Sequence, residues 1–543
     1  MKQNILLLLI LFVSVPIFAR QEHRMEEKPA ILYTNLGSYH HPVSTRNPEA
    51  QKYFDQGLTL IYAFNHDEAI RSFRKALELD PDLVMAHWGI AYALGPNINL
   101  DVDAEHEKAA YDAVQKALAM SGSAPENERA YIETLAKRFT NDPKADLKKL
   151  AVEYKDAMKQ LVDRYPDDPD LAVLYADALM NLRPWKFWKP DGKPEEGTEE
   201  ILSVLETILR TYPDHPGANH LYIHAVEASS RPERALPSAE RLETLVPGAG
   251  HLVHMPAHIY ARTGNFEDAA VRNEAAIKAD ESYFKMSGVT QGFYPAMYYN
   301  HNIHFLYFAR AMEGRFEDAR KAADQVTANA MPHVKEMAML DGFTPTSMLV
   351  LLRFRKYDEI LKMPEPGDGM PITGTLWHYG RGIAYARTER TLLAEKEKTA
   401  FEDAAKNIPA DAMVGLSPAS AVIQVAAALL HAEIAWAKNN PDAAEWFRKA
   451  VEAGDLIPYD EPPAWYYPIR ETYGGILLRS GRAPEAEQVF REDLQRNPRN
   501  GRSLFGLMEA LKSQEKAAAA AWVKQQFEEA WKNADTKLRL EDL

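Results

Sequence analysis

The chain of 543 residues reads as an all-α, right-handed solenoid of helical hairpins. Two observations predict this. Small, aromatic and proline residues recur at fixed offsets with a period of 34 positions, and runs of Val, Ile and Thr with strand-like alternation are few. Composition bounds the rest. At 46% hydrophobic and 26% charged the chain is too apolar to be disordered. It has no cysteine, which excludes disulfides, thiolate metal sites, iron–sulfur clusters and cysteine nucleophiles. Lys+Arg 63 against Asp+Glu 78 gives a formal charge of −15, and such an acidic surface repels phosphate backbones. No nucleic acid is expected as a partner.

Residues 1–19 read as an export signal. Lys2 supplies the positive start, Ile5 to Val15 is nearly unbroken apolar sequence, Pro16 breaks it and Ala19 offers a small residue for cleavage. The run is shorter than the ~20 residues of a spanning helix. No later segment is read as long enough to span, so no stable membrane insertion is expected. The mature chain is expected in the periplasm or outside the cell. Residues 20–49 read as an extended segment, 50–214 as N-terminal repeats, 215–333 as histidine-rich central repeats and 334–543 as C-terminal repeats.

Gly57, Ala69, Phe73, Ala76 and Pro81 are spaced by 12, 4, 3 and 5 residues. Small residues at such positions let two helices touch, the aromatic fills the gap, and proline ends the second helix. Gly474, Ala486, Phe490 and Pro498 repeat the offsets, Ala443, Phe447 and Ala450 give another second helix, and Ala520 lies 34 residues after Ala486. Ala235, Ala269 and Ala319 carry a weaker version through the centre. The pattern resembles the tetratricopeptide (TPR) repeat, and implies about ten to twelve hairpins. Three stretches interrupt it: Arg183–Gly197, Ser282–Ala296 and Asp455–Pro468. Rich in proline and aromatics, they read as ordered loops that either plug gaps between repeats or cover one mouth of a groove.

Of 17 histidines, nine lie between His215 and His333. With Ala235, Ala269 and Ala319 aligned, His220, His254 and His304 occupy one position. His224 and His258 share the position four later, and His251 and His301 the position three earlier. Spacings of three and four put these side chains on one face of each helix. In TPR proteins, by resemblance, that face lines the concave groove. Seven imidazoles in matching registers suggest metal or proton chemistry, since each buried ring nitrogen needs a partner. A purely hydrogen-bonding groove and packed core histidines are the alternatives; His87 and His431 read as packed. Glu227 follows His224 by three residues, as a metal ligand, a general base or a solvated helix-end charge. Asp460, Glu461, Trp465 and Arg470 cluster in YDEPPAWYYPIR, as groove residues or as a repeat cap.

The segments NHDEAIRSFRKALELDP, GHLVHMPAHIY, YYNHNIHFL and YDEPPAWYYPIR resemble those of secreted, histidine-rich bacterial TPR proteins. That resemblance implies architecture and brings no reaction with it. A Gly-rich phosphate loop, HExxH and GxSxG are all missing, so no nucleotide cofactor is expected. The expected function is a binding protein whose histidine-lined groove holds a divalent metal (zinc, iron or copper) with a small ligand, peptide or protein. The alternatives are a metal-dependent hydrolase or oxidase with Glu227 as base, and a carbohydrate-handling protein in which Trp185, Trp188 and Trp465 stack on sugar rings.

Overall fold

The first hairpin shows why the offsets recur. Asn47 caps the helix Pro48–Tyr62, its side chain accepting from the Glu49 and Ala50 amides, with Pro48 in the first turn. The helix His66–Leu79 follows, and Asn65 caps it through the Glu68 amide. Phe73 is fully buried between the first helices of consecutive hairpins. A Cβ on Gly57 would lie 2.6 Å from its ring, and one on Gly89 equally close, so glycine is what lets the ring sit there. Phe490 sits in the same way between Gly474 and Gly506 at the other end of the array.

The computed structural model describes residues 29–189 and 192–543. The leader expected over residues 1–19 lies outside them. The fold is an all-α, TPR-like solenoid. Among the described residues the one strand pair is 413–414 with 417–418. Arg183–Gly197, where described, and most of Asp455–Pro468 are non-helical, as expected. Ser282–Ala296 departs from expectation. The helix Phe266–Ser287 runs into it until Gly288, whose φ of 77° stops the helix, and a π-helical turn Tyr294–Tyr299 follows shortly after.

The helix Ala419–Ala437 corrects the reading that nothing after the leader has spanning length. It is 19 residues long with an 18-residue window of mean hydropathy 1.4, enough to cross a membrane by length and composition. Its apolar content is explained by packing between the helices Pro371–Arg387 and Ala443–Asp455, and Glu433 within it pairs with Arg387 at 2.5 Å.

Two long-range contacts close the array on itself. At the front, residues 29–47 lie along the first repeats. Tyr39 donates to Asp170 at 2.7 Å, Tyr62 donates to the same carboxylate, and His41 and His215 approach it at 2.7 and 3.3 Å. Burial opposes the ionised form of Asp170, but these partners outweigh it and hold the carboxyl far below the usual range. At the back, the C-terminal repeats return to the centre. Asp535 accepts from the Phe316 and Glu317 amides at 2.7 and 3.0 Å, capping the helix Phe316–Ala330, which has no side-chain cap of its own. Trp531 packs on Gly314 and Gly501. The curved interior retains a cavity of about 2100 Å³, to which Arg138, Trp185, Trp188, Arg262, Tyr459 and Arg496 all contribute.

Asp170 is 3% exposed, and its loss leaves two hydroxyls and two imidazoles without their acceptor. Asp170→Ala is therefore expected to cost about 3 kcal/mol, concentrated where residues 29–47 meet the repeats. Hydrogen exchange should show that segment losing protection while the helices Gly501–Ser513 and Ala517–Ala530 keep theirs; equal loss at both ends would refute a local anchoring role.

Candidate metal centre

Three helical stretches, the second broken at Met255, bring the histidines together. The helix Pro216–Glu227 starts at His215, whose side chain accepts from the Ala218 amide, with Pro216 at the first position. It carries His220, His224 and Glu227. The helices Gly250–His254 and Pro256–Arg262 run nearly end to end across Met255 and carry His251, His254 and His258. The helix Asn300–Met312 continues the π-helical turn and carries His301 and His304.

The sequence places these imidazoles along an open groove. The structure buries them instead: His220, His224, His251, His254 and His258 are at most 2% exposed, and His301 is half-buried. Residues from distant parts of the chain cover the inner face. Phe64 packs on His220, His224 and His251 with ring centroids 4.5–6.2 Å apart, Trp185 stands edge-on to His224 at 5.0 Å, and Tyr298 covers His251 at 4.8 Å. Phe64 has a φ of 55°, at the hairpin-turn position that Gly264, Gly314 and Gly481 fill elsewhere. A side chain there costs about 1 kcal/mol, and here it supplies the cover.

Six of the seven histidines form two groups of three. His220, His224 and His251 make the first; His254, His258 and His301 make the second. Within each, one ring nitrogen per residue lies within 4.8 Å of the others. His304 belongs to neither. It stacks on Tyr307 and meets Phe343 edge-on, towards the following repeat, where burial pushes it down to about 4.

The outward nitrogens fix the tautomers. His220 Nδ1 donates to the Tyr62 carbonyl at 2.6 Å. His224 Nδ1 and His258 Nδ1 donate to the two oxygens of Glu227 at 2.8 and 2.6 Å. His254 Nδ1 donates to Asn273 Oδ1 at 2.7 Å, and Asn273 is oriented by its own donation to the Ala269 carbonyl. Whichever of these four rings is neutral therefore presents an Nε2 lone pair inward. His254 Nε2 nonetheless faces His258 Nε2 at 2.7 Å and His301 Nε2 at 3.0 Å, while His220 Nε2 faces His251 Nε2 at 3.1 Å. His224 Nε2 and His251 Nδ1 are buried without any hydrogen-bond partner.

Charge is distributed unevenly over this arrangement. Burial lowers His220, His251, His254 and His301 well below the usual histidine value, and it lowers His224 less because Glu227 opposes it. Burial also opposes a charge on His258, but Glu227 outweighs it and raises that ring. Glu227 itself is penalised by burial, yet the imidazoles of His258 and His224 hold it below the carboxylate range. Glu227 faces the Nδ1 side of the rings and also accepts from Tyr459 at 3.0 Å. It orients the imidazoles from outside, which is not where a ligand or a base for inward-bound water would stand.

The remaining candidates separate. Trp185 and Trp188 line the cavity, Trp188 anchored by donating to the Ala225 carbonyl at 2.7 Å. Burial pushes Asp460 and Glu461 up to about 7; Asp460 accepts from the Leu416 amide, and Glu461 meets the Tyr459 hydroxyl at 2.6 Å. Trp465 is buried against Tyr379 and Tyr466 and presents no face to a sugar. Arg470 is held by Asp455 at 2.7 Å through two nitrogens. Sequence reasoning missed Tyr62, Phe64, Asn273 and Tyr459. It also missed a third group, His41 with Asp168 and Asp170, whose members are the anchor of the N-terminal segment.

A family comparison finds a tetratricopeptide repeat at residues 50–83, the hairpin built around Phe73. That stretch is a TPR. Comparison with curated proteins returns no match. Among solved structures the chain is similar to the human IFIT1 dimer with m7Gppp-AAAA, at 13% identity over 90% of this chain and 91% of that one, with a TM-score of 0.35. It is also similar to yeast Tom70, at 13% identity over 89% and 98% with a TM-score of 0.31. A third is the Cut9–Hcn1 hetero-tetramer of the APC/C, at 13% identity over 91% and 76% with a TM-score of 0.30.

Asp280 supports both groups from behind. It accepts from Tyr294, whose hydroxyl meets the His251 amide, and from Asn302 beside His301. Burial pushes it up to about 7. Between roughly pH 4 and 7 the folded chain thus holds a proton that the unfolded chain has released, so this group's contribution falls as pH rises through that window. Thermal melting at about pH 5 and about pH 8 should show Asp280→Asn gaining on the wild type at the higher pH. A pH-independent difference would mean that Asp280 is ionised in the folded protein.

Proposed function

We propose that the protein is a metal-binding TPR-like protein: its buried histidines hold a divalent transition metal (zinc, iron or copper), and the adjoining cavity takes a small-molecule or peptide ligand. One observation carries this reading. His224 Nε2 is buried with no hydrogen-bond partner while its Nδ1 is committed to Glu227, and beside it the Nε2 atoms of His254 and His258 face each other across 2.7 Å, a contact that only an added proton or a cation satisfies. A cation relieves that opposition. Nitrogens on a tetrahedral ion at about 2.1 Å are about 3.4 Å apart, so the rings would part by about 0.7 Å to admit one. Imidazole ligands whose other nitrogen donates to a carbonyl, amide or carboxylate are the usual partners of zinc, copper and iron. The apolar leader supports an exported protein, with the native N-terminus near residues 20–25.

A second reading replaces the metal with a proton. Glu227 raises the affinity of His258 for one, and an imidazolium there could donate to His254. It leaves the orphaned nitrogen of His224 unexplained. Elemental analysis of tag-free protein at neutral pH separates the two. Close to stoichiometric or higher content of one transition metal is expected. His254→Ala with His258→Ala should lower that content, whereas His304→Ala and His431→Ala should leave it unchanged, with helicity retained throughout. Protein that emerges metal-free and takes up none on dialysis would establish the proton reading.

A further inference from the structure

We infer that the histidines form a dinuclear centre, with one ion on each group of three and Glu227 joining the two from outside; this rests on the metal reading above. Ligand atoms on a single ion at about 2.1 Å lie no more than about 4.2 Å apart. The ring nitrogens gather into two sets of three, each within 4.8 Å, so each set would close by up to about 0.6 Å to seat its own ion. Nitrogen–nitrogen contacts of 2.7–3.1 Å occur within each set, and among the described residues none joins one set to the other.

Each set has its own unmet requirement. The second has the Nε2 atoms of His254 and His258 facing each other at 2.7 Å. The first has His224 Nε2, fully buried, aimed inward and unpartnered, and a His251 nitrogen in the same condition. An ion on the second set relieves nothing in the first. The two sets are adjacent nonetheless. His224 and His258 have ring centroids 5.6 Å apart, and Glu227 gives one oxygen to each. Two dipositive ions need buried negative charge near them; Glu227 supplies it, and Glu461, linked to Glu227 through Tyr459, and Asp460 beside it are buried carboxyl groups on that side that nearby cations would favour in the ionised form. Three protein ligands leave each ion an open position, as in sites that act on a bound small molecule. The first set lies directly behind Trp185, whose indole lines the cavity, so the molecule accommodated is one whose oxygen or nitrogen donor reaches past that ring.

Native mass spectrometry of chelator-stripped, tag-free full chain titrated with zinc chloride should show two ions per chain. His220→Ala with His224→Ala should leave one, as should His254→Ala with His258→Ala, and combining all four should leave none. Copper(II)-loaded wild type should give an electron paramagnetic spectrum broadened by dipolar coupling, with a half-field line, because the ions lie close together without a bridging atom, whereas either double variant should give the unbroadened spectrum of one. A wild-type stoichiometry of one overturns the dinuclear centre and leaves the metal reading standing; zero overturns both. Two ions with the unbroadened spectrum of two separate coppers and no half-field line overturn the shared centre. The wild-type stoichiometry and signal decide the matter even if a variant fails to fold.

Discussion

A carboxylate with no exposed surface organises the middle of this protein. Burying an isolated charge is prohibitively costly, and it becomes tolerable only when hydrogen bonds and opposite charge surround it. Glu227 has all of these: an imidazole N–H on each oxygen and the Tyr459 hydroxyl. By occupying both Nδ1 atoms it dictates where the other nitrogens point, and so it turns histidines from two helices into inward acceptors. The neighbouring carbonyl of Tyr62 and amide of Asn273 apply the same rule to two more rings. What stands in the interior is a set of lone pairs prepared for something positive.

The solenoid is shaped around that need. A repeat array ordinarily displays its inner face, because each hairpin packs only on its neighbours. Here the inner face is roofed by Phe64 from the first hairpin, Trp185 from the first interruption and Tyr459 from the last. The roof keeps the imidazoles dry, which holds most of them neutral. It also separates them from the cavity by single aromatic side chains rather than by a whole layer of structure.

Much of this was legible in the sequence, because helical packing leaves a strong trace. The glycine and phenylalanine at fixed offsets mark where a ring must fit between backbones, and the structure uses them so at Phe73 and Phe490. The equal registers of His220 and His254 did not decide the grouping: His220 meets His251, and His254 meets His258 and His301. Registers alone could not say which histidine would stop sharing. His304 matches His220 and His254 in position, yet it belongs to the last helix of the three and turns towards Phe343. Burial was not legible either, since the residues that cover the site are as many as 232 positions away, as with Tyr459 and Glu227. Nor did Phe64 stand out, since the turn position it fills holds Gly264, Gly314 or Gly481 in some hairpins and Arg355, Glu389 or Glu515 in others.

The contact between Asp535 and the helix beginning at Phe316 changes what kind of object the array is. An open string of repeats can melt from either end, because losing a terminal hairpin disturbs only the one beside it. When the last turn of the chain caps a helix in the middle, the tail no longer frays independently. Unfolding the terminal repeats strips a cap from the centre, and disordering the centre removes the seat of Trp531. The chain thereby exchanges the graded melting of a linear polymer for the shared fate of a closed one.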